Sequence, residues 1–92
     1  IEIIKYHDNT KPSYWLYTAI IERRDDFIEY MKSNGVMCSP LHLRNDRHSI
    51  FEDGSHLSGL ESFYSRFIHW GCGWWLSQED RIKIVDLIKK GW

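Results

Sequence analysis

Apolar and polar positions along the chain sort into strand-like and helix-like stretches. Residues 1–6 read as a short opening strand, with Ile1 and Ile3 on one side and Glu2 and Ile4 on the other. Residues 7–13 break it, because Asp-Asn and Lys-Pro are turn-forming steps. Residues 14–21 carry the strongest strand signal, rich in aromatic and β-branched side chains. Both sides of this strand are apolar: Tyr14, Leu16, Thr18 and Ile20 on one, Trp15, Tyr17, Ala19 and Ile21 on the other. A strand of that kind belongs inside a sheet covered on both faces.

A helix is predicted from Asp25 or Asp26 to Asn34. Acidic residues fill its first turn, Phe27, Ile28, Tyr30 and Met31 form its buried stripe, and Gly35 stops it. Residues 36–39 read as a further strand ended by Pro40, and residues 49–52 as a single helical turn followed by an Asp53-Gly-Ser turn. Residues 57–67 read as a helix with Leu60, Phe63, Tyr64 and Phe67 on one face, and residues 68–72 as a short strand. Ser77-Gln-Glu-Asp80 is a capping box opening the last helix. Ile82, Val85 and Ile88 are expected to face inward there, flanked by Ile84 and Leu87. Lys89 and Lys90 suit the negative end of the helix dipole, and Gly91 ends the helix. The order strand, strand, helix, strand, helix, strand, helix predicts an α+β fold. It would be one small two-layer domain over residues 1–92, with a mixed three- to four-stranded sheet and helices mainly on one face.

Composition changes this picture in one respect. An apolar fraction of 42% is ordinary, but 15% aromatic residues with five Trp supply more large rings than a small core holds. The surplus is expected at an interface, although for any single Trp the core is an equal competitor. The net charge of −1 argues against nucleic acid as a partner. No apolar run reaches the roughly 18–20 residues of a membrane span, and no signal-peptide pattern opens the chain. Lacking an initiator Met, the chain reads as an excised or processed piece. Two cysteines without a repeated spacing point to a reducing, cytoplasmic setting.

The stretch between Gly35 and Phe51 carries the densest chemistry. His42, Arg44, Asn45, Asp46, Arg47 and His48 cluster beside an apolar segment, as expected of a loop that touches something. Cys38-x-x-x-His42 and His69-x-x-Cys72 together offer two thiolates and two imidazoles. Neither half has the usual Cys-x-x-Cys form and a lone Cys is more often buried, so no metal site is assigned. No activated nucleophile accompanies His42 and Asp46, and no phosphate-cradling glycine loop is present, so no self-sufficient active site is expected. Arg44 and Arg47 have the fork geometry for a phosphate. Pairing with Asp46, Glu52 or Asp53 on the surface is the stronger reading. Trp74 and Trp75 cannot both enter one small core; one is expected to lid the sheet and the other to face a partner or ligand.

The Tyr14-Trp-Leu-Tyr strand, the Arg23-Arg-Asp-Asp-Phe helix, the Asn34-Gly-Val segment, the His42-x-Arg-Asn-Asp loop with Phe51, and Gly73-Trp-Trp-Leu-Ser-Gln-Glu-Asp together cover nearly the whole chain. In these residues it resembles the C-terminal small domain of DegT-type sugar aminotransferases. Those are pyridoxal-phosphate enzymes of the aspartate-aminotransferase fold acting on nucleotide-linked keto sugars. The resemblance implies a domain that docks on a larger one and helps to close its cleft. It makes His42, Arg44, Asn45, Asp46, Trp74 and Trp75 candidate substrate-side or domain-interface residues, none with a chemical step. The large domain with its Schiff-base lysine has no counterpart here, so this chain alone is expected neither to hold the cofactor nor to transaminate. The expected partner is a pyridoxal-phosphate-binding large domain, or a second copy through the exposed apolar face. A second class of function, a free-standing interaction module that kept the fold without the chemistry, fits the same residues.

Overall fold

A computed structural model describes residues 1–51 and 56–92. Three strands, β1 (Glu2–Ile3), β2 (Leu16–Ile20) and β3 (Phe67–Gly71), form one sheet in the order β1–β2–β3. The helices are α1 (Arg24–Ser33), α2 (Ser58–Tyr64) and α3 (Gln78–Lys90), with short 3-10 turns at Asn45–Arg47 and Ser49–Phe51. The class is α+β, as the residue pattern predicts. The Asp53-Gly-Ser turn and the end of the turn at residues 49–52 lie outside the described residues.

The doubly apolar strand is indeed central. β2 pairs antiparallel with β1 (Ile3↔Ala19) and with β3 (Ala19↔Ile68, Thr18↔His69). Tyr17, Ala19, Ile68 and Trp70 point to one face, where they pack with Phe27 and Met31 of α1 and with Ile84, Leu87 and Ile88 of α3. Thr18, Phe67 and His69 take the other face, beneath α2 and the loop around Arg44. The chain therefore covers both sides of its own middle strand, two helices on one and α2 with a loop on the other.

Local chemistry sets the helix ends. Gly35 sits at φ +77, and its N–H and that of Val36 close back on Lys32 and Met31 at 3.0 and 2.9 Å, a Schellman stop. α1 starts at Arg24 because Arg23 takes the left-handed conformation (φ 51), where its guanidinium binds the Trp92 carbonyl and lies over the Trp92 ring. Ser77 caps α3: its Oγ accepts from the Asp80 N–H at 3.0 Å, and its own N–H donates to Asp80 Oδ2 at 3.0 Å.

Several expectations are corrected. The sheet is antiparallel throughout rather than mixed, since β3 returns beside β2 in the opposite direction. The segment at residues 36–39 makes a single bridge, Ser39 to His69, because Pro40 has no N–H to extend a ladder. The opening strand is only Glu2–Ile3. Phe67 belongs to β3 instead of the preceding helix: α2 gives way after Tyr64, and the Arg66 carbonyl accepts from the Ile21 N–H at 2.9 Å, drawing the chain into the sheet. Ile82 and Val85 are exposed, because the three-stranded sheet is too narrow to reach past Ile84, Leu87 and Ile88 on α3. Among the described residues no helix is long and apolar enough to cross a membrane.

Candidate functional site

The second face of the sheet carries an open groove of about 770 Å³. Its floor is Phe67 and His69 of β3, one wall is the loop from Leu41 to His48, and the other is α2 with Leu60, Phe63 and Tyr64. Antiparallel pairing with β2 forces this placement, since it turns Phe67 and His69 away from the helical core. Phe63 then stacks on Phe67 with centroids 5.0 Å apart.

Arg44 ties the two walls together. It is only 8% exposed. Its Nε donates to Asp46 Oδ1 at 2.8 Å, Nη2 donates to Asp46 Oδ2, and Nη1 donates to Glu61 of α2. The Tyr64 ring lies 5.8 Å from the guanidinium carbon. Hydrogen bonds from Arg44 hold the Asp46 and Glu61 carboxyls below their ordinary range, and the two carboxylates raise the guanidinium further. With each nitrogen committed, Arg44 fixes the loop from behind and leaves no fork for a phosphate. The pairing expected with Asp46 is present; the carboxylates of residues 52 and 53 lie outside the described residues.

The two imidazoles come together. The His42 and His69 rings are 5.6 Å apart, and His42 also meets the Trp15 ring at 6.0 Å. His69 Nδ1 and Thr18 Oγ1 are hydrogen-bonded at 2.8 Å. Burial, and then the neighbouring His42, push the His69 pKa below its ordinary 6.5. Asn45, Arg47 and His48 are exposed along the loop.

The two cysteines do not join these histidines. Cys38 is buried in the core, where desolvation pushes its thiol up to about 11, far from a reactive thiolate. Cys72 donates to the Tyr14 carbonyl at 3.3 Å. Among the described residues no group of three or more His, Cys, Asp or Glu is placed to hold a metal ion.

Trp74 and Trp75 lie at one end of the sheet, in the connection from β3 to α3. Neither is a lid, contrary to expectation. Gly71 and Gly73 have no side chains, so the Trp75 ring folds back along its own loop; a Cβ on Gly73 would come within 2.2 Å of it. The two indoles meet edge to face at 6.2 Å and both stay exposed.

Sequence reasoning missed Glu61 as the partner of Arg44, and it set His69 beside His42 only as a possible metal ligand, not as part of the groove. A signal for Glu61 existed. It is the one carboxylate between Asp53 and Glu79, three residues before Tyr64 and thus on the same helix face. His69 needed the strand register, which spacing alone does not supply.

Similarity to known proteins falls on this same architecture. Among solved structures, the chain is similar to the sugar aminotransferase CalS13 from Micromonospora echinospora, at 33% identity and TM-score 0.92 over 99% of its length. It is similar to AtS13 from Actinomadura melliaura at 32% identity and TM-score 0.92, again over 99%. A DegT DnrJ EryC1 StrS aminotransferase from Brucella abortus shares the fold over 97% of the chain, at TM-score 0.85 and 17% identity. In each case the chain spans only 25% of the other protein's chain. No family model matches it, and comparison with curated proteins gives no significant match. In sequence and fold, the chain is similar to one quarter of a sugar aminotransferase of the DegT type.

Proposed function

We propose that this chain, as the counterpart of one quarter of a DegT-type sugar aminotransferase, is its small domain and helps to form the substrate cleft of a catalytic partner domain. One observation carries the reading: 99% of the chain superposes on a quarter of a sugar aminotransferase at 33% identity. In this reading His42, Asn45 and Asp46 line the side turned to a nucleotide-linked keto sugar or to the partner domain, with Arg44 bracing them from beneath. Trp74 and Trp75 face the same partner. Cys38 and Cys72 as free thiols are in keeping with a reducing, cytoplasmic setting.

The reaction class runs on pyridoxal phosphate, which when bound serves as an electron sink and is carried on a lysine. Among the described residues the groove's lining contains no lysine, and Arg44 is spent on Asp46 and Glu61. These residues do not fit the cofactor by themselves. Lysine and phosphate contacts therefore fall to the partner domain, and the chain contributes positioning and enclosure.

The test is a chimera in which this chain replaces the matching quarter of the Micromonospora echinospora enzyme. Cofactor-dependent transamination of a keto sugar is the expected result. A chimera that folds and binds pyridoxal phosphate but never turns over any keto sugar accepted by the parent would refute the proposal.

A further inference from the structure

We infer that the aromatic end of the sheet, carrying Trp15, Met37, Trp74 and Trp75, is the surface that docks on the part of a sugar aminotransferase this chain does not match. The inference rests on the small-domain reading and names its contact surface.

The argument starts from charge. All twelve Lys and Arg and all thirteen Asp and Glu lie outside three stretches, residues 12–21, 33–43 and 67–78. Burial accounts for the parts of these stretches inside the sheet and core. It does not account for their ends, where Trp15 is 70% exposed, Met37 78%, Trp74 94% and Trp75 61%. Folding brings those ends together. Leu16 pairs with Gly71, Cys72 Sγ reaches the Tyr14 carbonyl, and Met37 borders the same cavity as Gly71, with Asp80 and Lys83 at its rim.

The opposite end of the sheet offers a comparison. There β2 and β3 meet charge directly, at Glu22, Arg23 and Arg24 after β2 and at Arg66 before β3, with Arg66 and Glu22 paired at 3.0 Å, whereas at the aromatic end only β1 does, running on into Lys5. A loop end that stays in water has no reason to avoid charge. Depletion of charge with enrichment in Trp and Met is instead the composition of an interface centre. The similar proteins supply the occupant, since three quarters of each lies beyond the matched region. The complementary surface is predicted to be apolar, with carbonyl acceptors for indole N–H groups.

The experiment uses the Micromonospora echinospora sugar aminotransferase with its matching quarter removed as the probe, and measures its Kd for this chain. Replacing Trp74 and Trp75 together by Ser, or Met37→Ser alone, is expected to weaken binding at least about tenfold. Ile82→Ser, an exposed apolar residue on α3 outside the patch, is expected to change it less than about threefold. Far-UV circular dichroism checks that each variant stays folded. Should the wild-type chain bind and the patch variants bind equally well, the inference fails and the small-domain reading survives. Should the wild-type chain not bind at all, the small-domain reading itself fails. A wild-type chain that ignores the probe and forms a dimer abolished by the Trp substitutions would assign the patch to a second copy and overturn the proposal.

Discussion

Arg44 works on the protein around it rather than on solvent. Its guanidinium holds one carboxylate of its own loop and one of α2, so losing it strips Asp46 and Glu61 of the cation that both hydrogen-bond and leaves only weaker help from Arg47. Arg44→Met is expected to lower the thermal midpoint at neutral pH. Both carboxyl pKa values are depressed in the folded chain, so their contribution is full above the ordinary values of 3.8 and 4.5 and fades as pH falls through the depressed ones. The gap between wild type and variant should therefore narrow in acid. A gap that keeps its size down to pH 2 would mean that packing, not charge, is what Arg44 supplies. His69 predicts a separate effect at higher pH. Its folded pKa lies below 6.5, so the neutral ring favours the fold, and stability is lost as pH drops below 6.5 toward the depressed value. Urea midpoints at pH 7 and pH 5 should differ more for wild type than for His69→Gln; equal differences would remove His69 from this role.

At the level of elements, α3 was the most legible, because its start is written locally. The Ser77–Asp80 reciprocal pair needs no tertiary contact to form. Ser77→Ala should cost about 0.5–2 kcal/mol in chemical denaturation, and an unchanged midpoint would show the cap to be idle. The stop at Gly35 and the central place of residues 14–21 were legible for the same reason: a positive-φ glycine and a doubly apolar strand each admit few placements. What depended on distant partners was not. Phe67 suits a helix stripe as well as a strand, and only its pairing with Ile20 decides. Ile82 and Val85 satisfy an inward-facing period, yet nothing in the spacing tells how narrow the sheet beneath them is. The candidate site shows the same division. The loop from His42 to His48 could be picked out by its composition, whereas Glu61 and His69 joined it through a helix and a register.

The two ends of the sheet differ: Glu22 and Arg66 pair at one, and Trp15, Trp74 and Trp75 stay exposed at the other. The proposed docking would seat the aromatic end on a larger body and leave the groove facing a shared cleft. Hydroxyl-radical footprinting of the free chain and of the chimera, side by side, reads this directly. Trp15, Trp74 and Trp75 are expected to oxidise readily in the free chain and to be protected in the chimera, while Ile82 reacts alike in both. Equal oxidation of the three tryptophans in the two proteins would contradict a domain docked through its aromatic end.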